Sequence, residues 1–382
     1  MLPKIVIAID SFKGSLSSLE AAQSIENGLR RVLPLASISK IPVADGGEGT
    51  IESLVAATKG KLITSEVHDP LLRPIKTNFG LSGDGQTAFI EVAKAAGLTL
   101  VEPHLRNPLQ ATSFGVGEQI IKAYSLGVRN FIICLGGSAV TDGGSGMLAA
   151  LGARFYSEHK ELKPLPEELI EVTHLDLSNL HPLVKECKFS VACDVDNPLT
   201  GPKGAAFTFG PQKGASLSDC QFLDQMLAKL GHLYEKEASL PLLSMPKTGA
   251  AGGLGAAFMA FFAAKLVSGI NLVLDFLNFD SKIVGADLII TGEGSLDSQS
   301  LSGKTPIGIV NRTKKTKIPV IALAGSVTVL PTVFLHAGFL AVFSIAPGPI
   351  SLEYSIQNAA ELLAFQAENV AHIFFNKSSN DS

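Results

Sequence analysis

Acidic residues stand at four places where an apolar run ends, the last three beside glycine or asparagine: Asp10, Asp45 with Glu48, Asp194 with Asp196, and Glu293 with Asp297. One carboxylate at such a place caps a helix or starts a turn. Four of them suggest more, because the carboxyl ends of strands in open α/β sheets are where ligands bind. Facing one cleft, they suit a divalent cation or removal of a proton from a hydroxyl, both of which phosphoryl transfer needs. The densest stretch is residues 287–306, DLIITGEGSLDSQSLSGKTP. Its apolar run 288–290 reads as a buried strand that breaks at Gly292-Glu293-Gly294 into a loop carrying Glu293, Asp297 and Lys304. Lys13, between Phe12 and Gly14 in the loop after the first strand, suits a phosphate or carboxylate contact, against the plainer reading of a solvated lysine.

Two glycine-rich segments, 136–146 and 249–255, each precede a helix pattern. Backbone amides exposed at a helix start can cradle phosphate, whereas glycines in the same place can simply allow tight packing. Ser138, Thr141 and Ser145 add hydroxyls to the first segment and favour the phosphate reading there. Neither segment is a dinucleotide fingerprint, since the third glycine is missing from both. Gly303-Lys304-Thr305 imitates the end of a P-loop, but Ser298 occupies the place of its first glycine, and Thr305-Pro306 reads as a helix cap and first helical residue. None of the eight histidines falls in these loops, which argues against a zinc site or a hydrolytic triad.

The elements that must position these residues follow a strand, loop and helix rhythm. Strands are expected at 4–9 and 38–43, with helices at 18–32, where Ser17 and Glu20 have capping-box spacing, and at 50–58. The rhythm then changes to strands at 61–67, 76–81 and 87–92 with no helix between them and a turn at Gly83-Asp84-Gly85. Helix 113–126, strand 130–135, strand 189–193 and helix 218–238 follow, with 158–185 reading as a polar, proline-dotted surface excursion. Strands near 288–291, 319–323 and 340–344 and a last helix at 351–375 resume the opening rhythm, and 376–382 reads as disordered. The expected architecture is two unlike α/β domains with a cleft between them. One is a mostly parallel, Rossmann-like three-layer domain from residues 1–68 plus 280–382, and the other an inserted mixed-sheet domain of residues 69–279.

The 382 residues are 46% hydrophobic and 17% charged, enough for two packed cores. A formal charge of −4, from 31 basic and 35 acidic residues spread through the chain, leaves no footprint for nucleic acid. The one basic cluster, 312–317, is expected to close a helix. Four cysteines without CxxC spacing suit reduced thiols. The amino terminus lacks a signal-like apolar run, and the stretch 254–264 is too short to span a membrane. A soluble, cytoplasmic protein is the expectation, and its oligomeric state is not legible.

Seven strings, taken together, resemble the type I glycerate kinase family: DSFKGSLSSLEAA at 10–22, PVADGGEGT at 42–50, LGGSAVTDGGSGM at 135–147, ACDVDNPLTGP at 192–202, FGPQKGA at 209–215, GAAGGLGAA at 249–257 and ITGEGSLDSQSLSGKTP at 290–306. The chain departs from the family's usual pattern at Ile9, at Val140-Thr141 and at Ser295, the last where arginine is frequent. The resemblance implies ATP and Mg²⁺ as co-substrates and transfer of a phosphoryl group to D-glycerate, usually giving 2-phosphoglycerate. On that footing Asp194 or Asp297 deprotonates the attacking hydroxyl. Lys13 and Lys304 neutralise substrate carboxylate or the transferring phosphate. The amides of Gly136, Gly137 and Ser138 and of Gly252 and Gly253, with Asp142, surround nucleotide phosphates, and Asp45 and Glu293 hold Mg²⁺ directly or through water. Which loop takes ATP and which takes glycerate stays open. The rivals are a kinase of another small hydroxy acid and a non-catalytic metabolite-binding regulator of the same fold.

Overall fold

The computed structural model describes residues 2–47, 49–297, 300 and 303–375, so Glu48, Ser298 and the tail 376–382 lie outside the described residues. In chain order the strands are β1 (Lys4–Ile7), β2 (Ser37–Lys40), β3 (Lys61–His68), β4 (Pro74–Leu81), β5 (Thr87–Glu91), β6 (Asn130–Cys134), β7 (Arg154–Tyr156), β8 (Glu161–Leu162), β9 (His174–Asp176), β10 (Lys188–Ala192), β11 (Lys265–Val267), β12 (Leu288–Leu296), β13 (Val320–Val327) and β14 (Ala341–Ser344). The chain divides into two compact units, Met1–Asp45 with Ile270–Ser382, and Gly46–Gly269. The division falls after Asp45, earlier than the boundary read near Asp69 from the change of rhythm. Helix Thr50–Thr58 packs against β4 and β5, and β3 pairs with β4, so both belong with the second unit.

The first unit is a five-stranded parallel sheet in the order β14-β13-β12-β1-β2. Its core joins Ile5, Ile7 and Ile9 with Leu288, Ile290, Ile321 and Leu323. Helix Ser18–Val32 starts with the expected capping box, Ser17 accepting from the Glu20 amide while Glu20 accepts from that of Ser17. It packs along helix Ala359–Phe375. The last helical stretch is interrupted, with Leu352–Gln357 ending one residue before the long helix begins.

The glycines at 292 and 294 do not end β12, which runs on to Leu296 beside β13. A Cβ built on Gly292 would stand 1.8 Å from the carbonyl oxygen of Leu323. Gly292 is therefore a position where two backbones approach closely within a sheet, and its reading as a breaker is overturned by the pairing.

The second unit carries a six-stranded mixed sheet in the order β11-β10-β6-β5-β4-β3, antiparallel across β3-β4-β5 and parallel from β5 to β11. Residues 158–185 are not a surface excursion alone. β8 and β9 pair with β7 in a three-stranded sheet, and Leu162, Leu169, Leu175 and Leu183 are buried in the unit's core. All four cysteines are free and buried, and among the described residues no helix is long and apolar enough to cross a membrane. In the basic cluster, Arg312 ends a helix as expected, and it also pairs with Asp280 at 2.7 Å and with Asp275.

Candidate active site

In the first unit the sheet order reverses between β1 and β12, the place where open α/β sheets leave a crevice for ligands. The chain leaving β1 stays paired as far as Asp10, whose amide donates to the Gly292 carbonyl at 3.0 Å. The Asp10 side chain accepts from the Ser11 amide at 2.7 Å and from the Thr305 hydroxyl at 2.6 Å. Burial first, then Asp45 and to a lesser degree Glu293, pushes this carboxyl up to about 7 against those two hydrogen bonds.

Glu293, on β12, is mostly buried, and its Oε1 has no hydrogen-bond partner among the described residues. Burial raises its carboxyl too, with Asp45 and Asp297 adding and the Ser300 hydroxyl and Lys304 opposing. The Lys304 ammonium lies 3.9 Å from Glu293 Oε2. Lys304 also occupies the cap position of helix Thr305–Thr313, one residue earlier than the Thr305-Pro306 reading, and no side chain caps that helix start. Asp297 is oriented by Ser300, whose amide donates to its Oδ1 at 3.0 Å. Lys13 is exposed at a tight turn whose backbone lies against Gly294, a Cβ there reaching 3.5 Å from the Lys13 nitrogen.

Asp10, Lys13, Asp45, Glu293, Asp297 and Lys304 thus converge on one end of one sheet. Among the described residues no preformed set of three ligating side chains surrounds a cation position. The donors nevertheless fit Mg²⁺, which takes one or two carboxylates plus waters and phosphate oxygens. The orphaned Glu293 oxygen and the raised Asp10 carboxyl mark negative charge that a cation relieves. Thr305 and Ser300 were missed by sequence reasoning, although Thr305 is legible as a hydroxyl beside Lys304 at a helix start.

In the second unit, β6 is followed by Leu135 and then by Gly136 and Gly137, both exposed, and buried Ser138. The Gly137 carbonyl accepts from the Leu98 amide at 2.9 Å and the Ala139 amide donates to Ala96 at 2.8 Å, so this loop is held by its own unit. Asp142 is fully buried and accepts from the amides of Ser113, Gly144 and Gly146 and from the Ser113 hydroxyl at 2.7–3.1 Å. Its carboxylate is occupied in tying the loop down. Gly252 and Gly253 are buried, the Gly252 carbonyl accepting from Gly143 at 2.9 Å, and a Cβ on Gly252 would stand 2.0 Å from the Val140 carbonyl oxygen. These two glycines let one loop lie on the other. Asp194, exposed at the end of β10, accepts from the Gly269 amide at 3.0 Å.

A family model described as the glycerate kinase family matches residues 5–375. The chain belongs to the glycerate kinase family. It is 46% identical over 369 residues to a glycerate kinase of Bacillus subtilis (strain 168), covering 96% of this chain and 97% of that one. It is 45% identical to a glycerate 2-kinase of Escherichia coli (strain K12), with coverage of 96% and 97%. A crystal structure assigned to glycerate kinase 2 of Salmonella typhimurium LT2 superposes with a TM-score of 0.90 at 45% identity, over 98% of each chain. The described residues of the seven motif strings therefore sit in a fold shared with that crystal structure, at strand ends that carry acids and glycines in each unit.

Proposed function

We propose that this family member transfers the terminal phosphoryl group of ATP to the 2-hydroxyl of D-glycerate, giving 2-phosphoglycerate and ADP. The observation that carries the reading is the group at the reversal of the parallel sheet. There the carboxyls of Asp10 and Glu293 are raised by burial and by neighbouring acids, Asp10 bonded to Thr305 and Glu293 3.9 Å from Lys304 at a helix start that lacks a side-chain cap. Such a place suits a phosphate accompanied by a cation better than it suits either alone. The names of the B. subtilis and E. coli relatives support the acid and the hydroxyl.

Lys13 and Lys304 bind and orient anionic oxygens of the acid and of the transferring phosphoryl group. Asp297, held by Ser300, takes the proton from the hydroxyl as its oxygen bonds to the γ-phosphorus and the bond to the β,γ-bridging oxygen breaks, leaving the electron pair on ADP. Asp297 is favoured over Asp194 because it acts electrostatically on Glu293 within the same cluster. Asp45 and Glu293 are the residues that would hold Mg²⁺, which when bound supplies charge neutralisation to the phosphates. Gly136, Gly137 and Ser138 offer amides to nucleotide phosphates, while Asp142, Gly252 and Gly253 support that loop from behind.

The test is ADP release by the purified protein with Mg-ATP, with and without D-glycerate, followed by phosphorus NMR of the product. Glycerate-dependent ADP and a 2-phosphoglycerate resonance are expected. A 3-phosphoglycerate resonance overturns the choice of hydroxyl, and no stimulation by glycerate overturns the substrate.

A further inference from the structure

Lys213 lies within FGPQKGA and ends the short turn Pro211–Lys213. Only 2% of it is exposed. Its ammonium donates to the Val140 carbonyl at 2.5 Å and faces the hydroxyl oxygens of Ser138 at 3.4 Å and Thr141 at 3.5 Å. All three acceptors belong to the glycine-rich loop after β6. Lysine is seldom fully buried unless its charge is matched. Here burial pulls the ammonium down to about 7, and the next residue of the same loop, buried Asp142, opposes that. A cation and an anion inside the unit thus grip consecutive parts of one loop. Lys213 holds 138–141, and Asp142 ties the following turn to Ser113, Gly144 and Gly146. Gly136 and Gly137, where the loop meets solvent, carry no side chain that could set their course.

We propose that Lys213 is a positioning residue for phosphoryl transfer. It sets the path of residues 136–141 from the inner side, through the Val140 carbonyl and the hydroxyls of Ser138 and Thr141, so that the exposed amides face nucleotide phosphates. This rests on the assignment of nucleotide phosphates to residues 136–138. A lysine that merely fills the core predicts a different outcome on replacement, since methionine has similar length and no charge.

The experiment is Lys213→Met in the full chain, with steady-state kinetics in both substrates and hydrogen exchange of residues 136–141 with and without ATP. The KM for ATP should rise roughly tenfold to hundredfold, the scale on which small misplacement of a binding group acts. The KM for glycerate should change by less than about twofold, and ATP should no longer slow exchange in the loop. A folded variant with wild-type KM for ATP and wild-type protection overturns the proposal alone. Absence of ATP-dependent protection at 136–141 in the wild-type protein overturns the loop assignment and the proposal with it. Should Lys213→Met not fold, Thr141→Val removes a single acceptor with its shape kept, and is expected to raise the KM for ATP roughly threefold to tenfold. An unchanged KM in that variant also refutes the latch.

Discussion

Glu91 gives the sharpest test of the electrostatic reasoning. It closes β5, is 3% exposed, and its Oε1 accepts from the Ile51 amide at 3.1 Å, at the start of helix Thr50–Thr58. Burial pushes its carboxyl up from 4.5 to about 7, with Glu52 adding to burial and the Ile51 amide and Lys94 opposing. A carboxyl whose folded value is raised keeps its proton in the folded chain when the unfolded chain has lost it. Stability therefore falls as pH rises between about 4.5 and 7, and the cost is complete above that window. The rise from 4.5 to about 7, at 1.36 kcal/mol per unit, sets a ceiling of about 3 kcal/mol. Glu91→Gln keeps an oxygen for the Ile51 amide and removes the charge. Urea unfolding followed by circular dichroism, without ligand, should find the variant roughly 1–3 kcal/mol more stable than wild type at pH 8. At pH 4.5 the gain should largely vanish. A variant less stable than wild type at pH 8, or a difference independent of pH, refutes the claim that burial of a charge dominates at this position.

Asp297→Asn should lower kcat by roughly a hundredfold or more with the melting temperature unchanged, read by coupled ADP assay and calorimetry; wild-type turnover would remove Asp297 from the mechanism. Lys304→Met should lower kcat/KM roughly tenfold to a thousandfold by removing a cation from the helix start beside Glu293, measured under the same assay. Gly292→Ala places a Cβ 1.8 Å from the Leu323 carbonyl oxygen, so it should cost about 3 kcal/mol or more of stability, seen as a fall in the urea midpoint, and an unchanged midpoint would contradict the close approach of β12 to β13. Together these variants separate folding from chemistry, since Asp297 and Lys304 lie in the cluster around Glu293 and Gly292 lies within the sheet.

Local rules reached far along this chain. The capping box at Ser17 and Glu20, helix 50–58, and the strands before Asp10 and Asp194 depend on spacing and propensity within a few residues, and those were legible. The acids and lysines at strand ends were legible for the same reason, because a parallel strand delivers its following loop to a known edge of the sheet. Partnership across long separations was not. Gly292-Glu293-Gly294 looks like a break until β13, some thirty residues later, is seen to pair through it. Residues 158–185 look like a polar excursion because their few buried leucines are spaced irregularly, and only β7 and the larger core give those leucines somewhere to go. The burial of Asp142 and its bonds to Ser113, twenty-nine residues earlier, show only in the fold. Lys213 carries no local sign of burial, yet it is enclosed, facing acceptors more than seventy residues earlier.

The sequence by itself determined the alternation of strands and helices, the residue types available for phosphoryl chemistry and the family, because each of these is written in short-range pattern. Tertiary structure alone decided which carboxyls are buried together, which glycines are needed for backbone contact and which charges face inward. Those depend on desolvation and on distances between segments far apart in the chain, and no local spacing encodes either.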